Sequence, residues 1–338
     1  MNIAINGFGR IGRSTFKAIL SPSHKGGASK KTKINIVAIN DLTDTKTLAH
    51  LLQYDSVYGK YERKVSATKD AIIVEGKKYP VYAIKDPIEL PWAELKVDTT
   101  LECTGIFRKK EDAMLHLTAG AKKVIISAPP KGSGIKTIVP SVNDKDIKKT
   151  DKIISMASCT TNCLAPVTKI LCQAFGVQKA LMTTVHAYTA DQNLVDGPHK
   201  DLRRARAAGV NIVPTTTGAA ISTTETIPQI RGKFDGMAIR VPVAVGSICD
   251  AIYVLRKKVD EKKVNKALSK AAHSRQFRDI VKVTNEPLVS TDIIGNPASA
   301  ILDLSLTKVI EGDLVKVVAW YDNEWGYSNR LAELAERF

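Results

Sequence analysis

The chain has 338 residues, 44% of them hydrophobic and 25% charged, a balance ordinary for a globular protein and a length that suits two domains better than one. Lys and Arg number 50 against 34 Asp and Glu, a net charge of +16, yet the basic groups are scattered and mostly sit beside acids, as in RKKED and RKKVDEKK. With only 6% aromatic residues, that pattern argues against dedicated nucleic-acid binding, which clusters charge or supplies stacking rings. No apolar run of about 18 residues occurs and no basic leader precedes the first apolar strand, which argues against a membrane span and secretion. The 5 cysteines are too few for a disulfide framework, so a reducing cytoplasmic setting is expected.

The first half alternates β-rich and helical runs. Strands are predicted at 2–6, 34–40, 71–75, 80–84, 98–103 and 123–127, and helices near 10–20, 44–53 and 110–119. Alternation of this kind signals a parallel sheet with crossover helices. The polar segment SPSHKGGASKKTK (21–33) reads as a surface loop. A helix then starts near Cys159 and runs to about Ala174. Longer β-rich segments follow at 180–187, 236–243, 247–255 and 314–321, with helices near 260–273 and 326–337. Runs of strands with segregated helices predict an α+β domain on a mostly antiparallel sheet. The expected fold is therefore α/β, with a Rossmann-type domain over 1–158, joined by the C-terminal helix 326–338, and a catalytic domain over 159–325.

NGFGRIG places Gly7, Gly9 and Gly12 in G-x-G-x-x-G spacing between a strand and a helix. Gly7 permits the turn, Gly9 lets a pyrophosphate approach the backbone, and Gly12 lets helix and strand pack closely. The anion then rests on free amides at the helix N-terminus. Asp41, ending NIVAIND, stands at the end of the second strand, where an acid accepts from ribose hydroxyls and repels a 2′-phosphate. NAD is therefore expected rather than NADP.

Cys159 and Cys163 lie one helical turn apart, open to metal-ligand, disulfide or nucleophile readings. No further Cys or His pair has metal-ligand spacing, so no metal is expected. A disulfide across one turn constrains almost nothing. Ser158–Cys159–Thr160 enters a helix, whose N-terminus favours thiolate, so Cys159 reads as the nucleophile with thiolate expected near neutral pH. Cys163 reads as a buried small hydrophobe. His186 ends an apolar β-run in LMTTVHAYTADQ, where it can be held rigidly as the base.

NGFGRIGR, ASCTTNCLAP, HAYTADQ, DGPHKDLRRARAA, PTTTGAA and WYDNEWGYSNR, in this order from end to end, resemble the phosphorylating glyceraldehyde-3-phosphate dehydrogenases. The resemblance implies that Cys159 attacks the aldehyde with His186 as base and then acid. Oxidation of the thiohemiacetal by NAD leaves a thioester that inorganic phosphate cleaves. It implies Thr189 and Arg240 for the phosphate of glyceraldehyde 3-phosphate, and Ser158, Thr160, Thr217, Gly218 and Arg204 for the attacking phosphate. Arg10 and Ile11 would offer amides to the pyrophosphate, Lys85 and Ser127 lie toward the adenosine end, and Asn323 holds the carboxamide with Tyr327 nearby. It also implies a homotetramer in which 186–210 packs on a neighbour. Met156 departs from the Asn usual in the family. The rival readings are an erythrose-4-phosphate dehydrogenase and a basic binding protein on the same fold.

Overall fold

The computed structural model describes residues 1–20 and 33–338, so the loop expected at 21–33 lies, but for its last residue, outside the described residues. The described chain divides into two compact units, one of Met1–Ile138, Lys145–Ala157 and Ser328–Phe338, the other of Val139–Asp144 and Ser158–Tyr327.

The first unit opens with β1 (Asn2–Asn6), α1 (Arg10–Leu20), β2 (Asn35–Asn40) and α2 (Thr45–Gln53). A small hairpin of β3 (Tyr54–Asp55) and β4 (Gly59–Lys60) precedes β5 (Val65–Ala67), β6 (Ala71–Val74) and β7 (Lys77–Tyr82). Then come β8 (Thr99–Glu102), α3 (Lys110–Thr118), β9 (Lys123–Ile126), β10 (Lys136–Thr137) and β11 (Ile153–Ser155). The sheet order is β10-β11-β9-β8-β1-β2-β7-β6-β5. Strands from β10 to β7 run parallel, while β6 and β5 fold back as an antiparallel edge. Parallel strands covered on both faces read as continuous apolar runs. Accordingly Ile3, Ile5, Ile39, Leu101 and Ile125 are wholly buried, and Phe16 of α1 meets Phe8 and Tyr79 edge-on. β1 sits between β2 and β8, so chain order reverses there; ligands of open α/β sheets bind at such a switch point, beyond the carboxyl ends of the strands.

The second unit contains α4 (Cys159–Phe175), β12 (Val177–Ala187), β13 (Val213–Thr216), α5 (Ala219–Thr226), β14 (Phe234–Val241) and β15 (Ser247–Leu255). It continues with α6 (Glu261–Ala272), β16 (Val281–Thr284), β17 (Ala300–Asp303), β18 (Lys308–Ile310), β19 (Leu314–Tyr321) and the start of α7 (Trp325–Arg337). The sheet runs β13-β14-β12-β15-β19-β17-β16, with β18 on β19, and is mostly antiparallel. The exceptions are the parallel pairs β12·β14 and β16·β17. α4 buries Cys163, Leu164, Ala165, Val167, Ile170 and Leu171. Its packing against β12, β15, β17 and β19 holds the N-terminus of α4 at one end of the long strands.

Candidate active site

In the first unit the three glycines have three different surroundings. Gly7 has φ +91°, and a Cβ there would come within 2.6 Å of Thr104 N. At Gly12 a Cβ would lie 2.2 Å from Gly7 O, so helix and turn touch backbone to backbone. A Cβ on Gly9 would meet nothing within 4 Å, which leaves the middle of the turn open for an approaching ligand. Asp41 is fixed at this turn, its Oδ2 accepting from Phe8 N at 2.7 Å and its Oδ1 from Thr43 N at 2.9 Å. Arg10 and Ile11 form the first turn of α1, whose leading amides lack intrahelical acceptors. The Arg10 side chain itself pairs with Asp55 at 2.8 Å. Lys85 is exposed just beyond β7, and Asn40 bonds both N and O of Ile84 beside it. Ser127 follows β9 and donates its amide to Glu102 O at 2.9 Å. Every predicted cofactor residue of this unit thus stands at the carboxyl edge of the sheet. An open turn at a helix N-terminus and an acid at the next strand end suit a dinucleotide.

Sequence reading missed what supports this edge. Glu102, 1% exposed at the end of β8, accepts from Thr104 N at 2.8 Å, from the Thr104 hydroxyl, and from Asn6 Nδ2 at 2.5 Å. His116 of α3 lies 3.1 Å from the same carboxylate and accepts from Trp92 Nε1 at 3.1 Å. Asn40 Nδ2 donates to Asn6 Oδ1 at 2.7 Å, tying β2 to the same array. The one available signal was an acid and an amide inside otherwise apolar strands.

In the second unit Ser158 caps α4, its Oγ accepting from Thr161 N at 3.1 Å. Cys159 is the first helical residue, and its Sγ lies 3.4 Å from His186 Nε2 on β12. His186 Nδ1 is 2.6 Å from Ala187 O, which can only accept, so Nδ1 carries the proton and Nε2 faces the thiol as acceptor. Thr160 Oγ1 meets Tyr321 OH at 2.9 Å, and Thr184 Oγ1 meets it at 2.8 Å. Cys163 is fully buried with its sulfur 4.0 Å from Ala319 O.

Burial works against the thiolate expected at Cys159. Burial pushes the Cys159 thiol up to about 11, against the pull of Arg240 and of bonds from Thr160. It drives His186 down to about 3, reinforced by Arg240. A helix N-terminus contributes about 0.3–1 kcal/mol, less than one pKa unit, so desolvation wins. Burial thus opposes a lone charge on either group, the thiolate as much as the imidazolium. Ion-pair formation is then an internal proton transfer from Sγ to Nε2, which creates both charges together within mutual reach.

Two guanidiniums serve this pair. Arg240 Nη1 donates to Ala187 O at 3.2 Å and to Thr189 Oγ1 at 3.1 Å, while its buried Nε has no hydrogen-bond partner. A buried cationic donor left open is an anion site waiting for its acceptor. Arg204 bonds Asp191 at 2.5 Å, Thr215 Oγ1 at 2.9 Å and Thr216 O at 3.1 Å, beside Thr217 and Gly218 at the entry to α5. Its charge acts on both His186 and Arg240. The Asp191 and Thr215 contacts, absent from the sequence reading, tether this arginine. Asn323 Oδ1 accepts from Gly246 N at 3.1 Å and from Ser247 Oγ at 3.0 Å.

Residues 1–110 match the family model for the NAD binding domain of glyceraldehyde 3-phosphate dehydrogenase, and residues 158–323 match the C-terminal domain of the same family. The chain belongs to the glyceraldehyde-3-phosphate dehydrogenase family. It is 53% identical over 335 residues to the glyceraldehyde-3-phosphate dehydrogenase of Streptomyces coelicolor, covering 99% of this chain and 97% of that one. Identity to the protein of that name from Geobacillus stearothermophilus is 51% over 336 residues, with the same coverage. For Borreliella burgdorferi it is 49% over 343 residues, covering 100% and 99%. As a member of this family the chain is an NAD-dependent dehydrogenase. Against that background, Met156, three residues before the nucleophile in the chain, is fully buried, its amide bonded to Ile126 O at 3.0 Å. Ala157, with φ +56°, makes the turn into Ser158.

Proposed function

We propose that the protein converts glyceraldehyde 3-phosphate, NAD and inorganic phosphate to 1,3-bisphosphoglycerate, the glycolytic reaction of its family. The observation that carries this reading is the Cys159–His186 contact of 3.4 Å, with the imidazole held in the tautomer that accepts the thiol proton. Cys159 Sγ attacks the aldehyde carbon as its proton passes to Nε2, forming a carbon–sulfur bond. The Cys159 amide, one of the free donors at the start of α4, and the new imidazolium stabilise negative charge on the substrate oxygen. The imidazolium gives its proton to the oxygen to complete the thiohemiacetal, and His186 takes it back as the hydride leaves and the carbonyl re-forms. NAD, when bound, supplies the acceptor for the hydride lost from this carbon. The resulting thioester is cleaved by phosphate, which forms an oxygen–carbon bond and releases the Cys159 thiolate, reprotonated by His186.

Arg240 and Thr189 would bind the substrate's own phosphate, in keeping with the open Nε of Arg240. Arg204, Thr217, Gly218, Ser158 and Thr160 would receive the attacking phosphate. The tether of Arg204 to Asp191 suits a dianion that must bind and leave rather than stay. Gly7, Gly9, Gly12 and the amides of Arg10 and Ile11 would hold the pyrophosphate, Asp41 the ribose, Lys85 and Ser127 the adenosine end, and Asn323 the carboxamide.

The working form would be a cytoplasmic homotetramer. No helix among the described residues is long and apolar enough to cross a membrane. The second unit exposes apolar side chains such as Leu181 at 65%, Ile221 at 62% and Leu194 at 87%. Leu181, Ile221 and Ile252 also line a cavity of about 770 Å³, as an unpartnered interface would. The decisive assay is NADH formation from the aldehyde with and without phosphate. Turnover that ignores phosphate would overturn the phosphorylating reading.

A further inference from the structure

Outside the groups assigned above, one buried hydroxyl touches both the carboxamide-holding amide and the residue that fixes the base. Ser247, the first residue of β15, is 1% exposed. Its Oγ lies 3.1 Å from Ala187 N and 3.0 Å from Asn323 Oδ1. The amide can only donate and the carbonyl oxygen can only accept, while the hydroxyl has one proton. The direction is therefore forced: Ala187 N donates to Ser247 Oγ, and Ser247 Oγ donates to Asn323 Oδ1.

Two consequences follow on the two sides of this serine. Asn323 Oδ1 also accepts from Gly246 N at 3.1 Å, so two donors fill the oxygen and hold the amide in one orientation. Only its NH₂ is left to face a ligand. On the other side Ala187 O takes His186 Nδ1 at 2.6 Å and Arg240 Nη1 at 3.2 Å. Ala187 is thus pinned at both ends, its N–H by the serine and its C=O by the base and the phosphate-site arginine. The array runs unbroken from Asn323 through Ser247 and Ala187 to His186 and Arg240.

We propose that Ser247 is a positioning residue that locks the Asn323 amide and the His186 base into one hydrogen-bonded array, so that cofactor orientation and proton acceptance are set together. The proposal rests on the roles given above to Asn323 and His186. Without the hydroxyl, Gly246 N alone favours one amide orientation, and a flipped amide would present oxygen where the ligand meets NH₂. Ala187 N–H would be left buried and unpaired, loosening the backbone that carries the base.

The test is a double-variant cycle on the full chain with Ser247→Ala, Asn323→Ala and both together, with Ser247→Thr as the variant that keeps the hydroxyl. Measured quantities are kcat/KM for NAD, the isotope effect with 1-deuterated aldehyde, and far-UV circular dichroism as a readout of an intact fold. Ser247→Ala should lower kcat/KM for NAD about tenfold and raise the isotope effect while the circular dichroism is unchanged. The double variant should be no worse than the worse single one, and Ser247→Thr should recover most of the loss. Independent, multiplying losses in the double variant would overturn the proposal, as would wild-type kinetics for Ser247→Ala beside a crippled Asn323→Ala. An unaffected Asn323→Ala would instead sink the site assignment on which the proposal stands.

Discussion

Residue by residue, the chemistry rests on a thiol and an imidazole that each resist ionising alone. Burial pushes the Cys159 thiol up to about 11 and His186 down to about 3, so the two groups share one proton across the neutral range. Alkylation of Cys159 should therefore be nearly flat across the neutral range, rising only as the thiol ionises on its own and falling only where the imidazole is protonated from solvent. In His186→Asn no internal acceptor remains, and the rate should climb about tenfold per pH unit through that range. A sigmoid centred on an ordinary thiol value in the unsubstituted protein would refute the coupling. Cys159→Ser should abolish turnover, while Cys163→Ser should lower stability and leave most activity, since Cys163 is wholly buried beside Ala319 O. Arg240 supports a separate measurement. Removing its open, buried donor in Arg240→Leu should cost roughly 10- to 100-fold in kcat/KM for the phosphorylated aldehyde. The unphosphorylated aldehyde should barely respond, and an equal loss for both would remove Arg240 from the phosphate site.

At the level of elements, the glycine turn makes predictions of opposite kind for neighbouring positions. Gly12→Ala drives a Cβ to 2.2 Å from Gly7 O, so α1 must leave β1 and the melting temperature should fall by several degrees. Gly9→Ala meets nothing within 4 Å, so stability should hold while NAD binding weakens; calorimetry of both variants distinguishes the two roles. The same turn marks what was legible in sequence. Spacing gave the glycines, and strand periodicity gave β1, β2, β8 and β9, because a local period survives in the chain. β13 and α5 went unseen: PTTTGAAIST carries no clear period, and its structure is decided by pairing with β14 and packing on α4. β14 was expected at 236–243 and lies at 234–241, since strand ends are set by partners rather than propensity. Cys159 and His186 could be singled out because their residue types are chemically rare. Glu102, Asp191 and Ser247 could not, because what matters about them is a neighbour distant in sequence.

For the whole molecule, the margin by which NAD is preferred to NADP and the assembly are the two properties that solution measurements test. The Asp41 carboxylate is held in place by Phe8 N and Thr43 N, so it cannot swing aside for a 2′-phosphate. Asp41→Ala should accordingly narrow the NAD/NADP gap chiefly by weakening NAD, and comparable kcat/KM with both cofactors in the unsubstituted protein would refute the preference. Assembly sets two terms against each other. Exposed apolar residues on the second unit, among them Leu181, Ile221, Ile252, Leu194, Val195 and Leu202, favour burial at about 25 cal/mol per Å². Against that, each copy brings a net charge of +16, and copies held together repel. Salt screens the repulsion over about 10 Å at 0.1 M without weakening apolar contact. Light scattering should therefore report a tetramer at moderate salt and partial dissociation on dilution at low salt. Ile221→Asp, at an exposed position outside the reacting groups, should shift that balance toward smaller species at every salt concentration. A monomer mass for the unsubstituted protein at both ionic strengths would show that the apolar face is not an interface between copies of this chain.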